Sequence, residues 1–514
     1  MTPSPALVSR LLSSVSVSDS ARSWPVHAPF TGEQIYELPL ASEADVDETM
    51  AALRRGQRAW AGRPLRERSR IMLRFHDLVL EHRDEGLDIV QWETGKARRD
   101  AMEELLDVCI TARHYARDAG RLLRPRRHRG IFPGAVGVTQ YQQPKGVVGF
   151  LTPWNYPLTL AVSDAIPALL AGNAAIIKPD VQTSLTALWV IDLLVRAGVP
   201  TDVVRVVTGD GPAIGPVVID RVDYVMFTGS TRVGREVAAR CGERLIGCSL
   251  ELGGKNAMII REDADVARAA EIAVRACFSN SGQLCISMER IYAHTDVYDA
   301  FAEAFASRVR GMAIASAIGW TGDMGSLISG RQLTRVRKHV DDAVARGARV
   351  LAGGGSRPEI GPYVFEPTVL EGVTEGMILC DEETFGPVVA LYPVSSDEEA
   401  IELANDTVYG LNAAVVTRDK AAGRTIARQL HAGTVNVNEG YGPSWGSTRA
   451  PMGGMGDSGL GRRHGDEGML KYTESQTVAV QRLLSFGPVF GMSDEQWMNT
   501  MASTFSLFKK IGLK

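Results

Sequence analysis

The sequence predicts an α/β protein with a doubly wound nucleotide-binding domain, a second α/β domain and a small β ribbon. Three observations lead to this prediction. From Gly146 onward, short apolar runs alternate with amphipathic stretches, as in buried parallel strands joined by crossover helices. A second series of the same kind follows Glu251. With 514 residues, of which 45% are hydrophobic, the chain is too long for one compact core and favours two or three domains.

The stretch before these runs is predicted to be mostly helical. Between Glu43 and about Leu122, apolar residues recur at helical spacing, as at Val46, Met50 and Leu53, with only short polar breaks. This region therefore supplies helices rather than strands to the first domain.

The strands of the two sheets are predicted from the apolar runs themselves. The first sheet takes residues 146–151, 174–178, 203–208 and 224–228, with helices after Pro157 and after Thr183. The second takes residues 257–260, 290–293, 388–391, 413–417 and 434–437, separated by helical stretches such as residues 265–278. Each set has the order of elements that a parallel sheet with crossover helices requires.

Two further segments complete the predicted elements. Residues 131–143 and 473–480 have the pattern of extended ribbon. Near the end of the chain, Trp497, Met501, Phe505 and Phe508 recur at helical spacing. We interpret this helix as one that docks on its own or a neighbouring subunit, and a surface membrane anchor is the alternative.

Composition and charge exclude several classes of function. The net charge of -4 and the pI near 6.2 provide no field that would attract nucleic acid or an anionic membrane. The basic run 121–129 stands alone without interleaved aromatic residues, which favours a solvated or subunit-facing loop over nucleic-acid binding. No apolar run of about 18 residues occurs, so no membrane span is expected.

The cysteines indicate a reducing compartment. There are 6 of them, at no zinc-like spacing and too sparse for a disulfide framework in a chain of this size. We therefore expect a cytoplasmic protein without a structural metal.

One cysteine has the surroundings of a nucleophile. Cys285 follows a turn that contains Gly282, so its sulfur can face a cavity. Upstream, Glu251 stands at the mouth of a tight Gly-Gly turn, and Asn155 lies between Pro153 and Pro157. A thiol, a carboxylate and an amide donor are the three groups that oxidation of an aldehyde through a thioester needs.

These motifs resemble the aldehyde dehydrogenase superfamily, and the resemblance runs from Asp45 to Ser475. It rests on the separated segments 153–157, 178–179, 227–230, 251–255, 282–285, 383–387 and 451–461. The resemblance implies a cofactor-binding domain at residues 1–126 and 146–252, a catalytic domain at 253–452, and oligomerisation segments at 127–145 and 453–514. It also implies a homodimer or homotetramer.

The phosphates of a dinucleotide have two candidate sites in the sequence. The pattern Gly209-Asp210-Gly211 is weak evidence by itself. The stronger context is the run 224–227 followed by Gly229 and Ser230, because a helix begins there and its first N–H groups favour a pyrophosphate. The resemblance selects Gly229, Ser230 and Gly234 for this role.

The resemblance implies a complete cofactor site, and one position within it indicates NADP. Lys178 corresponds to the lysine that contacts the adenosine ribose. Three positions later, members that prefer NAD often carry a glutamate, whereas this chain has Val181, which removes the repulsion of a 2′-phosphate. We therefore predict that NADP is preferred and that NAD is also accepted. The cofactor-binding residues implied are Trp154, Asn155, Lys178, Pro179, Asp180, Val181, Gly229, Ser230, Gly234, Leu252, Glu383 and Phe385.

The chemistry implied is an attack by Cys285 on the aldehyde carbon. Asn155 and the Cys285 backbone N–H then hold the oxyanion of the thiohemiacetal, and hydride leaves for the nicotinamide. Glu251 activates water to hydrolyse the remaining thioester. A carboxylate at this position favours release of a free acid over transfer to CoA.

The substrate is the least constrained part of the prediction. Segments 143–149, 280–287 and 471–477 resemble bacterial succinate-semialdehyde dehydrogenases of the NADP-dependent type. Members of that group place arginines where this chain has Ser163 and Ser279, so Arg449, close to Ser447, is the candidate cation for an anionic substrate. A neutral aliphatic or aromatic aldehyde is the alternative.

Two other classes of function stay open. A cysteine hydrolase would also use Cys285, although the 9 histidines show no suggestive grouping. A catalytically idle protein on the same scaffold is expected to lack Cys285, Glu251 or Asn155, and all three are present.

Overall fold

The computed structural model describes residues 3–18, 22–132, 135–483 and 487–512. The strands, in chain order, are β1 Ser23–His27, β2 Gln34–Pro39, β3 Arg126–Arg129, β4 Val136–Pro144, β5 Val147–Leu151, β6 Ala174–Lys178, β7 Val204–Val206, β8 Tyr224–Thr228, β9 Gly247–Glu251, β10 Asn256–Ile260, β11 Met288–His294, β12 Arg349–Ala352, β13 Thr368–Glu371, β14 Val388–Val394, β15 Tyr409–Gly410, β16 Asn412–Val416, β17 Thr434–Val437, β18 Met455–Gly456, β19 Gly459–Leu460 and β20 Thr473–Gln481.

The α-helices, in chain order, are α1 Pro5–Leu12, α2 Glu43–Ala61, α3 Leu65–Glu81, α4 Arg83–Thr94, α5 Arg98–Leu122, α6 Pro157–Val162, α7 Ala165–Leu170, α8 Ser184–Ala197, α9 Gly211–Ile219, α10 Thr231–Glu243, α11 Val266–Phe278, α12 Thr295–Arg310, α13 Gly330–Ala345, α14 Ile378–Asp381, α15 Asp397–Asn405, α16 Lys420–Ala427, α17 Gly442–Gly446, α18 Glu467–Leu470 and α19 Asp494–Lys510. Short 3₁₀ turns cover Val181–Thr183 and Ser279–Gly282.

The chain forms two compact units. One consists of the described residues up to Leu122 together with Pro144–Tyr472, and the other consists of Leu123–Gln143 and the described residues after Tyr472. The first unit contains both large sheets and every residue of the candidate active site. The division into cofactor-binding, catalytic and oligomerisation segments stays a prediction, because the two sheets belong to a single unit.

The first sheet of this unit confirms the predicted doubly wound architecture. It has the strand order β19-β9-β8-β5-β6-β7, and β5, β6, β7, β8 and β9 run parallel. Strands β5 and β6 are buried along their whole length, as their unbroken apolar sequences predict. Strand β9 was not predicted, and it carries Glu251 at its carboxyl end.

The second sheet has seven strands in the order β12-β13-β14-β11-β10-β16-β17. All its neighbours are parallel except β12 and β13. Helices α11 and α12 cover one face, where Phe278, Phe301 and Phe305 stack on one another inside the core. In a parallel sheet, the loops at the carboxyl ends of the central strands commonly carry the residues that bind ligands.

The second unit contains the predicted ribbon. Strands β20, β4 and β3 form a three-stranded sheet in that order. The basic run was predicted as a loop, but Arg126–Arg129 is a strand that pairs antiparallel with β4, with every residue exposed. All eight residues of β20 that follow Thr473 are likewise exposed.

Helix α19 has the predicted helical pattern and a regular start. The Ser493 side chain accepts a hydrogen bond from the Gln496 backbone N–H, and the Gln496 side chain accepts one from the Ser493 backbone N–H, which makes a capping box. Phe505 stacks on Phe132 of the same unit, with ring centroids 6.3 Å apart. Among the described residues, no helix has the length and apolar character needed to cross a membrane.

Candidate active site

The loop that carries Cys285 has an unusual backbone. It connects α11 to β11, and three successive residues, Asn280, Ser281 and Gly282, have φ values of 51°, 56° and 69°. Left-handed conformations cost free energy in non-glycine residues and persist only where neighbouring groups enforce them. A Cβ at Gly282 would lie 2.1 Å from the Gly386 carbonyl oxygen, so only glycine fits.

Buried hydrogen bonds hold this loop in place. The Asn280 backbone N–H donates to Asp100 Oδ2 at 3.0 Å, and the Ser281 hydroxyl donates to the Gly325 carbonyl at 3.0 Å. Burial raises the pKa of Asp100 to about 7, with Glu103 adding to the effect. The loop therefore brings Cys285 to a defined position at the wall of a cavity.

The three predicted catalytic residues meet at this cavity. Cys285, Glu251 and Asn155 all line it, although they are far apart in the sequence. Thr228, Thr159 and Arg463 add polar groups to the wall. The rest of the lining is apolar or aromatic and consists of Tyr156, Leu160, Leu284, Ile286, Leu411, Tyr441, Trp445 and Met452.

The amide of Asn155 lies between β5 and α6 and points toward the cysteine loop. Its Nδ2 donates to the Gln283 carbonyl at 3.2 Å, two residues before Cys285. Its own backbone carbonyl accepts from Lys96 Nζ at 2.6 Å and from Asn280 Nδ2 at 2.9 Å. Two donors thus fix the peptide that carries the proposed oxyanion donor.

Lys96 and Glu104 form a clamp behind this peptide. Both side chains are fully buried, and Lys96 Nζ pairs with Glu104 Oε1. Glu104 Oε2 accepts from the Leu158 and Thr159 backbone N–H groups at the start of α6, at 2.8 and 3.2 Å. Sequence analysis did not identify either residue, because their contacts with the Asn155 carbonyl and the start of α6 form only in the folded chain.

The electrostatics of the cavity suit proton transfer near neutral pH. Burial raises the pKa of Glu251 to about 7, and Arg463 and Lys471 oppose that rise. Burial raises the pKa of the Cys285 thiol to about 12, and the carboxylates of Glu251 and Glu383 add to it. The thiol is therefore protonated at neutral pH and needs a base, for which a carboxylate with a pKa near 7 is suited.

A group of buried charges next to Glu251 was missed by sequence analysis. Arg463 pairs with Asp164, and Lys471 Nζ lies 3.5 Å from Asp164 Oδ1. Strands β18 and β19 precede Arg463, and its backbone exchanges two hydrogen bonds with Met452. The polar stretch that contains Arg463 has no local feature that predicts burial.

The turn after β8 has the geometry of a phosphate-binding helix start. Helix α10 begins at Thr231, and the Ser230 side chain makes no capping hydrogen bond, which leaves the first backbone N–H groups for a ligand. Gly234 allows the helix to pack closely, because a Cβ there would lie 2.5 Å from Leu252. These residues fit the pyrophosphate of a dinucleotide.

Lys178 lies at the carboxyl end of β6 and is almost fully buried. Its Nζ donates to the Pro179 carbonyl at 2.9 Å, and burial lowers its pKa while Asp180 and Asp210 oppose that effect. A buried ammonium with so few partners is costly and fits a hydroxyl-rich or anionic ligand. Val181 follows in the first 3₁₀ turn and is half-buried.

The opposite part of the proposed cofactor site is formed by Glu383 and Phe385. Glu383 Oε1 accepts from the Gly254 backbone N–H at 2.9 Å, and a Cβ at Gly253 would lie 2.5 Å from Glu383 Oε2. The Phe385 ring lies 5.5 Å from that of Trp154 in an edge-to-face arrangement. A carboxylate and two aromatic rings fit the ribose and ring of a nicotinamide nucleotide.

The four residues proposed for the substrate lie elsewhere. The Ser163 hydroxyl donates to Asp107 Oδ2 at 2.7 Å inside the core. Ser279 is buried and bonds to the Tyr441 hydroxyl at 2.8 Å, so it contacts the cavity only through that ring. Ser447 is exposed. The Arg449 side chain is 80% exposed and pairs with Asp118, so the structure does not bring it to the cavity.

Comparison with known proteins gives one consistent result. The family model described as "Aldehyde dehydrogenase family" matches residues 16–478. A protein of Mycolicibacterium smegmatis named "Putative succinate-semialdehyde dehydrogenase NADP(+)" is 52% identical over 99% of both chains. "Succinate semialdehyde dehydrogenase" of Acinetobacter baylyi is 32% identical, over 89% of this chain and 94% of the relative. The crystal structure of PnpE in complex with nicotinamide adenine dinucleotide superposes with a TM-score of 0.86 at 34% identity, covering 92% of this chain and 96% of that one.

The clamp beneath Asn155 generates a stability prediction. Lys96→Met leaves Glu104 buried without its cation, so we expect the free energy of unfolding to fall by about 3–5 kcal/mol. Urea denaturation followed by tryptophan fluorescence measures the change. Lys96→Met/Glu104→Gln removes both charges and is expected to recover much of the loss, whereas Lys338→Met, at an exposed position, is the control. Equal stability of Lys96→Met and the control would contradict the clamp.

Proposed function

The chain belongs to the aldehyde dehydrogenase family, and we propose that it oxidises its aldehyde to a carboxylic acid with Cys285 as nucleophile, Glu251 as base and Asn155 as oxyanion donor. The observation that supports this assignment is the presence of all three side chains at one cavity. Aldehyde oxidation itself follows from family membership. The residue roles, the preferred cofactor and the substrate are the proposal.

The first half of the reaction forms a thioester on Cys285. Glu251 takes the thiol proton, and the sulfur attacks the aldehyde carbon to give a thiohemiacetal. The Asn155 Nδ2, which now donates a long bond of 3.2 Å to Gln283, has a second N–H for the oxyanion. A bound nicotinamide nucleotide supplies the hydride acceptor for this step. Loss of hydride from the thiohemiacetal carbon leaves the thioester.

The second half of the reaction hydrolyses the thioester. Glu251 is buried, and its Oε1 has no hydrogen-bond partner among the described residues, so it is available to a water molecule. Glu251 first releases the thiol proton to solvent. Its carboxylate then removes a proton from water as the water attacks the thioester carbon, and the bond from that carbon to the Cys285 sulfur breaks. The product is a free acid rather than an acyl-CoA.

We infer NADP as the preferred cofactor and NAD as an accepted one. The relative named for NADP is 52% identical, and position 181 of this chain carries no acidic side chain. Lys178 is a buried cation close to that position. Asp180 and Asp210 act on Lys178 and limit the positive potential there, so the preference is expected to be graded rather than absolute.

Succinate semialdehyde is our leading substrate. Two relatives are named for it, at 52% and 32% identity. The cavity wall favours a second candidate, a neutral aldehyde, because most of its lining is apolar or aromatic and Arg463 is already paired with Asp164. A substrate carboxylate would therefore be recognised without a free cation from the described lining residues.

We also propose that the protein forms a homodimer or homotetramer and is located in the cytoplasm. The edge strand β20 is exposed along nearly its whole length, which supports pairing with another copy in a homodimer or homotetramer. All 6 cysteines are free, which supports a reducing cytoplasm. The segments 127–145 and 453–514 keep their proposed role in assembly.

Two variants distinguish the proposed role of Cys285 as nucleophile from that of Glu251 as base. Cys285→Ala is expected to abolish aldehyde-dependent reduction of the nicotinamide, followed by absorbance at steady state. Glu251→Gln is expected to form the thioester more slowly, with solvent accepting the thiol proton, so the burst of reduction keeps its amplitude but loses rate. The variant is then expected to accumulate acyl-enzyme, detected by intact mass, because hydrolysis lacks its base. Cys109→Ala and Glu271→Gln, which change a thiol and a carboxylate away from the cavity, are the controls. Wild-type turnover in either site variant would refute its assigned role.

Cofactor choice is tested at position 181. Val181→Glu places a carboxylate where it can repel a 2′-phosphate and accept from ribose hydroxyls, so the ratio of kcat/KM for NADP to that for NAD is expected to fall by roughly 10-fold or more. Val181→Gln has a similar length without the charge and is expected to change the ratio much less. A wild-type preference for NAD would overturn the proposal.

The substrate is tested with aldehydes of matched length. Succinate semialdehyde and butanal both have a four-carbon chain, and only the first carries a carboxylate. We expect kcat/KM to be higher for succinate semialdehyde, by about 10-fold, the size of one charged hydrogen bond. A higher value for butanal or benzaldehyde would establish the neutral substrate class instead.

A further inference from the structure

Three buried polar atoms of residues that line the cavity, the Tyr156 hydroxyl, Glu251 Oε1 and Arg463 Nε, have no hydrogen-bond partner among the described residues. Glu251 and Arg463 are 5% and 7% exposed. Leaving a buried donor or acceptor unpaired typically costs about 1–3 kcal/mol. Glu251 Oε1 is an acceptor and Arg463 Nε is a donor, so a single small molecule such as water can satisfy both.

The other end of the guanidinium is held firmly. Arg463 Nη2 donates to Asp164, which lies between α6 and α7, and Lys471 Nζ is 3.5 Å from the other oxygen of Asp164. All three side chains are buried. The ion pair therefore fixes the guanidinium through Nη2, while the neighbouring Nε has no hydrogen-bond partner among the described residues.

The charges that face Glu251 are unequal in sign. Arg463, Lys471 and Arg462 are cationic, whereas Asp164 is anionic. The nearby Cys285 thiol is neutral because burial raises its pKa to about 12. An ionised Glu251 brings this group closer to neutrality, and a protonated Glu251 leaves an excess of buried positive charge.

Three further groups belong to the surroundings of this cluster. Burial lowers the pKa of His464 to about 3, so His464 is neutral. Burial raises the pKa of Asp107 to about 6, and the Ser163 hydroxyl donates to it. Glu383 acts on the Cys285 side of the site. None of these supplies a second anion directly to Glu251.

We propose that Arg463, anchored by Asp164 and supported by Lys471, is a positioning residue for thioester hydrolysis: it keeps Glu251 ionised and donates its Nε–H to the water that Glu251 activates. The inference rests on the proposed function. The contact of the Nε–H with water belongs to the second half-reaction, whereas the effect of Arg463 on the ionisation of Glu251 applies to both. The water is held between Nε as donor and Glu251 Oε1 as acceptor. Arg463 does not itself exchange a proton.

The pKa of Glu251 is expected to shift in opposite directions when Arg463 or Asp164 is removed. Without Arg463, the ionised form of Glu251 loses a favourable charge, so its pKa rises. Without Asp164, Glu251 loses a repulsive charge, so its pKa falls. A residue that acts only through packing would not shift the pKa in opposite directions in the two variants.

The variants Arg463→Gln and Asp164→Asn test this directly. Turnover with saturating aldehyde and cofactor is measured from pH 5.5 to 9, a range of about 3.5 units around the neutral region where Glu251 titrates. For Arg463→Gln we expect the acidic limb of kcat to move to higher pH by about one unit, and kcat at pH 7 to fall by roughly 10-fold. For Asp164→Asn the limb is expected to move to lower pH. Arg268→Gln, which removes an exposed arginine paired with Glu271, is the control.

Rapid-mixing and mass measurements locate the effect. Arg463→Gln is expected to keep the amplitude of the burst of nicotinamide reduction and to accumulate acyl-enzyme visible by intact mass. Hydrolysis loses both the ionised base and the Nε–H donor, whereas thioester formation is affected only through the base. Arg463→Lys restores the charge without the Nε–H group, so its acidic limb is expected to return toward that of wild type while kcat stays reduced. If Arg463→Gln fails to fold, Arg463→Lys and Asp164→Asn/Arg463→Gln carry the same comparison.

Three outcomes would overturn the inference. They are shifts of the same sign in Arg463→Gln and Asp164→Asn, unchanged pH profiles in both, and a rise of KM for anionic aldehydes at unchanged kcat, which would make Arg463 a substrate anchor. Failure of the proposed function is distinguishable, because wild-type protein would then show no aldehyde-dependent reduction of either nicotinamide nucleotide.

Discussion

The candidate active site depends on a single peptide carbonyl, that of Asn155, which accepts hydrogen bonds from two sides. Lys96 Nζ approaches it from α4–α5, and Asn280 Nδ2 approaches it from the cysteine loop. The same Asn280 side chain also donates to the Gln283 carbonyl, so the proposed oxyanion donor and the loop that carries Cys285 share one anchor. A shift of this peptide would move both groups together. The position of Asn155 relative to the Cys285 loop is therefore held more firmly than the position of either group in the protein.

Two buried ion pairs hold the candidate active site in position. Lys96 and Glu104 form a fully buried pair, and Arg463 and Asp164 form another. Such pairs contribute little net stability, because desolvation offsets most of the Coulombic attraction. Their value lies in fixed orientation: groups that are already desolvated and held need no rearrangement when charge develops on a reacting oxygen. The apolar wall of the cavity strengthens these fields by excluding water.

Much of the architecture was predictable because it follows from local periodicity. Apolar runs gave the strands β6, β8 and β17 at their observed bounds, and the thiol, carboxylate and amide were identified from their surroundings in sequence. Strand β9 was missed because its first residues are partly exposed and its apolar run is short. Arg463 was missed for a different reason. Its partner Asp164 is 299 residues away, so its burial follows from a long-range ion pair that no local pattern encodes. Lys96 pairs with Glu104 only 8 residues away, but its contact with the Asn155 carbonyl spans 59 residues, and no local pattern encodes that contact.

The protonated state of Cys285 also affects how readily the thiol is oxidised. Peroxides and electrophiles react with thiolates far faster than with thiols, and the surroundings of this sulfur disfavour the thiolate strongly. In the resting protein the proposed nucleophile is therefore expected to react slowly with oxidants although it lies at a cavity. Oxidative inactivation is thereby slowed in the intervals between turnovers, at the expense of requiring a base each time the sulfur is used.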